Sequence, residues 1–242
     1  MSFLIDAIRW IFGGDLAGTD PIPVALAVHI LYSVVSVAVA MLIAVPIGWF
    51  IGHTGKGRDI AVAISGSTRA VPSFGLFILL VLVMGVLLTP AAAIITFVIL
   101  AIPSILAGAY AGFEAIDRSV VGAGRAVGMT QWQVLWRIEV PLGLPLLVAG
   151  IRSAMLQVVA TVTIAAYVPI GGLGQYIIAG FPLQRLDMVL GGAILVAALA
   201  FALDGVFALL QRWSVPHGVR PAKRARSSRT AADDELVRQA LT

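Results

Sequence analysis

Three residues stand where charge is hardest to keep: Arg69, Arg152 and Asp204 each fall inside a long apolar run. An ionisable group there faces a bundle interior, a watery path or an opposite charge. Asp204 is expected to pair with one of the two arginines and brace the bundle. The alternative is that one of the three lines a pathway and meets a substrate carboxylate. His29 and Ser33 are one helical turn apart, a base-and-nucleophile spacing, but nothing resembling an oxyanion arrangement accompanies them. An intramembrane hydrolase is therefore a remote alternative. The chain has no cysteine, and its three histidines lie far apart with no metal-binding spacing. It also lacks the G-x-x-x-x-G-K-[ST] phosphate loop. No catalytic residue, metal site or cofactor of its own is expected.

A second group of residues suggests contact rather than catalysis. Residues 121–141 read VGAGRAVGMTQWQVLWRIEVP, a half-polar block between two apolar runs. Thr130 and Gln133 have the T-x-x-Q spacing of a capping box, which starts a helix. Trp132, Leu135 and Trp136 then share one helical face. Pro141 is expected to end this helix and open the next span. Upstream, residues 117–127 form a second short helical stretch closed by Gly128. A short amphipathic helix of this kind can fill a groove on another protein or rest on lipid, and tryptophan suits both. Trp136 could equally pack beneath the helix against the bundle.

These residues must be positioned by membrane helices. The 242 residues are 60% hydrophobic and 12% charged, far from the composition of a soluble domain. Five segments are long and apolar enough to span: about 24–52, 59–86, 90–112, 141–168 and 187–212. The loop 53–58, the block 113–140 and the tail from Arg212 hold twelve of the 16 Lys and Arg, and the opposite side has only Arg9 and Arg185. The positive-inside rule places the N-terminus outside and the C-terminus in the cytoplasm. Counted from the cytoplasmic ends, Arg69, Arg152 and Asp204 lie roughly 12–17 Å deep, near mid-bilayer. Residues 1–23 read as an outer interfacial segment, with Trp10 at headgroup level, or as an ordinary ordered terminus. Residues 24–212 form the transmembrane domain, and 213–242 a disordered cytoplasmic tail. The net charge of +4 follows this membrane asymmetry, and no nucleic-acid partner is expected.

The spacing G-x9-I-x-x-P, as Gly128, Ile138 and Pro141, resembles the cytoplasmic signature E-A-A-x-x-x-G-x9-I-x-L-P of ABC importer permeases. In that family the segment forms coupling helices that dock into a cleft on the ATPase. Ala123 takes the first alanine position. Gly122 stands at the glutamate, Gly124 at the second alanine and Val140 at the leucine. Two glycines cost about 1 kcal/mol each in a helix interior, so the first coupling helix is expected to be soft, or to form fully on docking. The stretches PIPVALAVHILYSV, TRAVPSFGLFILLVLVMGV and TIAAYVPIGGLGQYIIAG are similar to the osmoprotectant branch, whose substrates include glycine betaine, carnitine, choline and proline betaine.

The resemblance implies an all-α integral membrane protein with five transmembrane helices in a MetI-like permease fold. It implies a transport subunit in the bacterial cell membrane, without its own ATPase site. Its partners would be cytoplasmic ABC ATPase subunits that bind ATP and Mg, an extracytoplasmic substrate-binding protein, a second permease copy (itself or a paralogue) and membrane lipid. ATPase coupling would fall to Ala123, Arg125, Gly128, Trp132, Trp136, Ile138 and Pro141. A methionine or other amino-acid permease is the alternative within the class, and a passive channel would leave the coupling block without a purpose. A betaine's quaternary ammonium needs aromatic faces. Tyr32, Phe74, Phe77 and Tyr167 are available, each equally able to pack or face lipid. Pro72 is expected to kink the second span, and Gly171, Gly172 and Gly174 to form a tight turn.

Overall fold

The computed structural model describes residues 2–13, 16–59, 61, 63, 66 and 72–216. Among these every regular element is helical. They run α1 (Ser2–Gly13), α2 (Ile22–Thr54), α3 (Ser73–Met84), a 3-10 turn (Val86–Leu88), α4 (Thr89–Glu114) and α5 (Arg118–Ala126). Then follow α6 (Gln131–Val134), a π turn (Leu135–Glu139), α7 (Val140–Ala165), α8 (Gly174–Gly180) and α9 (Leu186–Ser214).

Among the described residues, four stretches are long and apolar enough to cross a membrane: Ile22–Thr54, Val86–Glu114, Gln131–Ala165 and Leu186–Ser214. They correspond to the expected first, third, fourth and fifth spans. Among the described residues, the longest helix within the expected second span, 59–86, is α3, whose 12 residues rise about 18 Å, short of the roughly 30 Å of a hydrocarbon core. Pro72 opens α3 and Gly85 closes it. Arg69 lies outside the described residues.

Pro141 opens α7 from its first turn as expected, but it does not end the helix before it. The stretch from Gln131 to Ala165 runs on as 35 residues of helix, passing through the π turn. The proline has no N–H to continue the α ladder. The Val140 N–H instead reaches back to the Leu135 carbonyl, one residue further than an α-helix would.

The centre of the bundle is α4, clasped by α2 and α7. Glycines allow this approach. A methyl group on Gly108 would lie 2.7 Å from the Leu146 carbonyl oxygen, and one on Gly150 would lie 2.7 Å from that of Ser104. On α2, a methyl on Gly48 would meet the Ala109 Cβ at 2.4 Å. Backbone-to-backbone contact of this kind is how membrane helices gain packing when lipid offers no hydrophobic contrast.

The first helix also differs from expectation. Phe3, Leu4, Ile5, Ile8 and Phe12 are exposed, but Trp10 is only 2% exposed. Its ring covers Gly191 of α9 and meets Tyr176 of α8 edge-on, with centroids 5.1 Å apart. Trp10 is thus a packing anchor, because a Cβ-free patch on α9 accepts the indole more completely than a headgroup layer would.

Candidate functional site

The block between α4 and α7 is built by local signals. The Asp117 side chain caps α5 by accepting from the Ser119 N–H at 2.9 Å, and this backbone hydrogen bond holds its carboxyl below the usual carboxylate range. The other end of α5 is a Schellman motif. Gly128, at φ 84°, donates its N–H to the Arg125 carbonyl, while Met129 donates to the Gly124 carbonyl. One residue later the capping box forms as its spacing predicts. The Gln133 N–H donates to Thr130 Oγ1 at 3.3 Å, and the Thr130 N–H to Gln133 Oε1 at 2.9 Å. The block is therefore two short helices with a turn that is closed on both sides.

Its underside is a small core of Phe113, Ile116, Val121 and Val134. Gly124 belongs to this side. A methyl group there would lie 2.5 Å from Ile138 Cδ1, whereas Gly122 has open space around it. The expected softness of α5 is therefore offset at Gly124 by Ile138, which packs where an alanine methyl would stand. Ile138 is half-buried, and Pro141 sits in the first turn of α7.

The outer face of the block carries Ala123, Arg125 and Gly128, all exposed, and Trp132, 67% exposed. Arg125 donates to Gln131 Oε1 at 3.2 Å, which links α5 to α6 across the turn. Trp136, 45% exposed, does two things at once. It meets Trp132 and Trp49 edge-on, each at 5.6 Å between centroids, and Trp49 in turn stacks on Phe113. Beside these rings runs a groove of about 560 Å3, lined by Pro46, Trp49, Phe50, His53, Trp132 and Trp136 among others.

Sequence reasoning missed one residue here. Glu139 is 3% exposed, and the Nδ1–H of His53, at the end of α2, donates to its Oε2. A carboxylate set between Ile138 and Val140 was the available signal, since a buried charge needs a partner. The partner is 86 residues away, beyond the reach of local pattern.

The structure brings together two of the three intramembrane charges. Arg152 on α7 grips Asp204 on α9 through two parallel bonds, Nε to Oδ1 and Nη2 to Oδ2, both 2.5 Å. A fork of this kind fixes orientation as well as charge.

At the opposite end of the bundle, His29 is fully buried. Its Nδ1 accepts from the Leu173 N–H at 3.2 Å, so Nε2 carries the proton and donates to the Val159 carbonyl at 3.1 Å. Ser33 Oγ donates to the His29 backbone carbonyl, not to the ring. Both ring nitrogens are engaged by backbone, so the pair has no nucleophile–base contact and the hydrolase alternative loses its geometry. The turn that His29 holds has Gly171 and Gly172 at φ 76° and 88°. Below it, Tyr176 donates its hydroxyl to the Asp20 carbonyl at 2.7 Å, and its pKa is pushed up to about 12, chiefly by burial. The four candidate aromatics fall into two pairings: Tyr32 and Phe77 both meet Phe97, while Phe74 meets Tyr167.

Comparison with known proteins agrees with this architecture. Residues 44–216 match the family described as binding-protein-dependent transport system inner membrane component. The chain is 29% identical over 195 residues to the glycine betaine/carnitine/choline transport system permease protein OpuCB of Bacillus subtilis, covering 81% of this chain and 89% of that one. It is 32% identical over 195 residues to the carnitine transport permease protein OpuCB of Listeria monocytogenes, covering 81% and 88%. Among solved structures, a chain of the MetNI methionine ABC transporter in an inward-facing conformation superposes with a TM-score of 0.70 at 20% identity, over 81% of this chain and 96% of that one. That likeness speaks to the fold. This chain is a multi-pass membrane protein and belongs to the family of binding-protein-dependent transport system inner membrane components.

Proposed function

We propose that this chain is the permease subunit of an ATP-driven importer for osmoprotectants such as glycine betaine, choline, carnitine or proline betaine. The observation that carries the coupling half of this reading is the doubly closed helical block, whose tryptophan face is exposed and whose last helix runs unbroken into α7. The substrate half rests on the relatives, which are named for glycine betaine, carnitine and choline transport.

In this reading α3 is the described part of the second of five spans. The N-terminus lies outside, the C-terminus and the 117–141 block lie in the cytoplasm, and the membrane is the bacterial inner membrane. An ATPase subunit docks on the face formed by Ala123, Arg125, Gly128, Trp132 and Trp136, with Ile138 and Pro141 setting its angle to the bundle. ATP and Mg are held by that partner. A second permease copy completes the pathway, and an extracytoplasmic binding protein delivers the substrate. ATP binding draws the paired blocks together. The unit of α2, α4 and α7, joined at its glycines, then turns as a rigid body between inward- and outward-open states. The Arg152–Asp204 fork carries α9 along with α7.

The test is ATP-dependent uptake of labelled glycine betaine by liposomes holding this chain, its ATPase and its binding protein. Uptake that unlabelled betaine blocks and methionine does not is the expected result. An ATPase that co-purifies with the chain while only methionine is carried would keep the permease and overturn the substrate.

A further inference from the structure

Glu139 takes no part in the docking face, yet it sits where the block's last helix departs from α geometry. It is the last residue of the π turn between the docking helix and α7. A π turn packs less well than an α turn, and Pro141 cannot supply the next ladder N–H. A load applied at Trp132 would flex the chain here unless something held it. His53 is in a position to hold it. It stands in the last turn of α2, just past Gly48 and Gly52, where added methyl groups would meet Ala109 and Phe113 of α4 at 2.4 and 2.8 Å. The His53–Glu139 bond therefore fastens the far side of the π turn to the rigid bundle. Arg125 bonds Gln131 within the block and Arg58 bonds Glu114 at the end of α4, so beside the Trp136–Trp49 ring contact the His53–Glu139 bond is the polar tie from the π turn to α2.

We propose that His53 and Glu139 are positioning residues that brace the π turn, so that ATPase-driven motion of the block reaches α2 and the bundle instead of being absorbed at the turn. This rests on the docking reading above. The brace predicts an uncoupling phenotype, which a purely structural contact does not. Without the bond the ATPase still docks and hydrolyses ATP, but fewer substrate molecules cross per ATP.

The experiment uses the complete transporter in liposomes, with ATP hydrolysis and uptake of labelled glycine betaine (and of methionine in parallel) measured on the same preparation. In Glu139→Gln the substrate moved per ATP falls at least about fivefold, the lower end of ordinary coupling energies, while the ATPase co-purifies as in wild type. The exchanged pair, His53→Glu with Glu139→His, regains most of the wild-type ratio. His53→Leu, at the more exposed partner, is the second variant and must lose the ratio in the same way. An unchanged ratio in either single variant overturns the brace, as does an exchanged pair no better than the singles. An ATPase that does not bind even the wild-type chain overturns the docking reading first, and the brace with it.

Discussion

The glycine contacts between α4 and α7 make a quantitative prediction. In Gly150→Ala the new methyl would stand 2.7 Å from the Ser104 carbonyl oxygen and 2.9 Å from the Gly108 Cα. Neither neighbour is a side chain that can rotate away. Ordinary contact is about 3.5–4.0 Å, so the two helices must part by roughly 1 Å along this seam. Overpacking of this kind costs about 1–3 kcal/mol. The matched control is Gly122→Ala, in the interior of α5, where an added methyl meets nothing within 4 Å. There the exchange should be neutral or gain up to about 1 kcal/mol from helix propensity. The assay is the unfolding midpoint in detergent, read with uptake in liposomes. Gly150→Ala should lower the midpoint and the uptake, and Gly122→Ala should lower neither. Because Gly108 and Gly150 meet at one point, adding Gly108→Ala to Gly150→Ala should cost less than the sum of the two. If Gly150→Ala were tolerated as well as Gly122→Ala, the seam would not be close-packed and the rigid unit of α2, α4 and α7 would fail.

Other tests address separate parts of the molecule. Asp204→Asn removes the carboxylate that Arg152 grips with two bonds, and should reduce assembly, transport or both; membrane yield and uptake at wild-type levels would show that the fork has no role. Trp132→Ala should leave folding nearly unchanged, because the ring is 67% exposed, yet weaken ATPase co-purification by 2 kcal/mol or more, about 30-fold, if it is a binding hot spot. Tyr176 has its folded-state pKa raised to about 12. Its contribution to stability is then fully present below the unfolded value of about 10 and is lost as pH rises through about 12. Tyrosinate absorbance should show Tyr176 titrating late, near pH 12, and Tyr176→Phe should reduce the late-titrating absorbance by one tyrosine.

What the sequence made legible follows from the range of the interactions involved. The apolar runs gave the four long helices to within a few residues, because length and hydropathy are local properties. The capping box at Thr130 and Gln133 and the turn at Gly128 were equally local and formed as read. Three of the misses depend on contacts between distant segments, and the fourth on a local departure from α geometry. Trp10 reads as an interfacial anchor until Gly191 of α9 provides a surface for its ring. Gly124 reads as a weak point in a helix until Ile138 fills the space beside it. Glu139 reads as one more polar residue of the block until His53 reaches it from α2. Pro141 reads as a helix end, and only the π turn before it lets the helix continue. Asp204 lay between these cases. Its depth and charge called for an arginine partner, but the choice between Arg69 and Arg152 depended on how α7 and α9 pack.

The central claim is that the exposed tryptophan face of the 117–141 block is where an ATPase docks. The most direct measurement places a photo-crosslinking residue at Trp132 in the assembled transporter, with a control at Phe201, exposed on α9. The account predicts an adduct with the ATPase subunit from position 132, changing in yield when ATP is added, and none from position 201. An adduct from 201, or none from 132 in a transporter that still hydrolyses ATP, would contradict it.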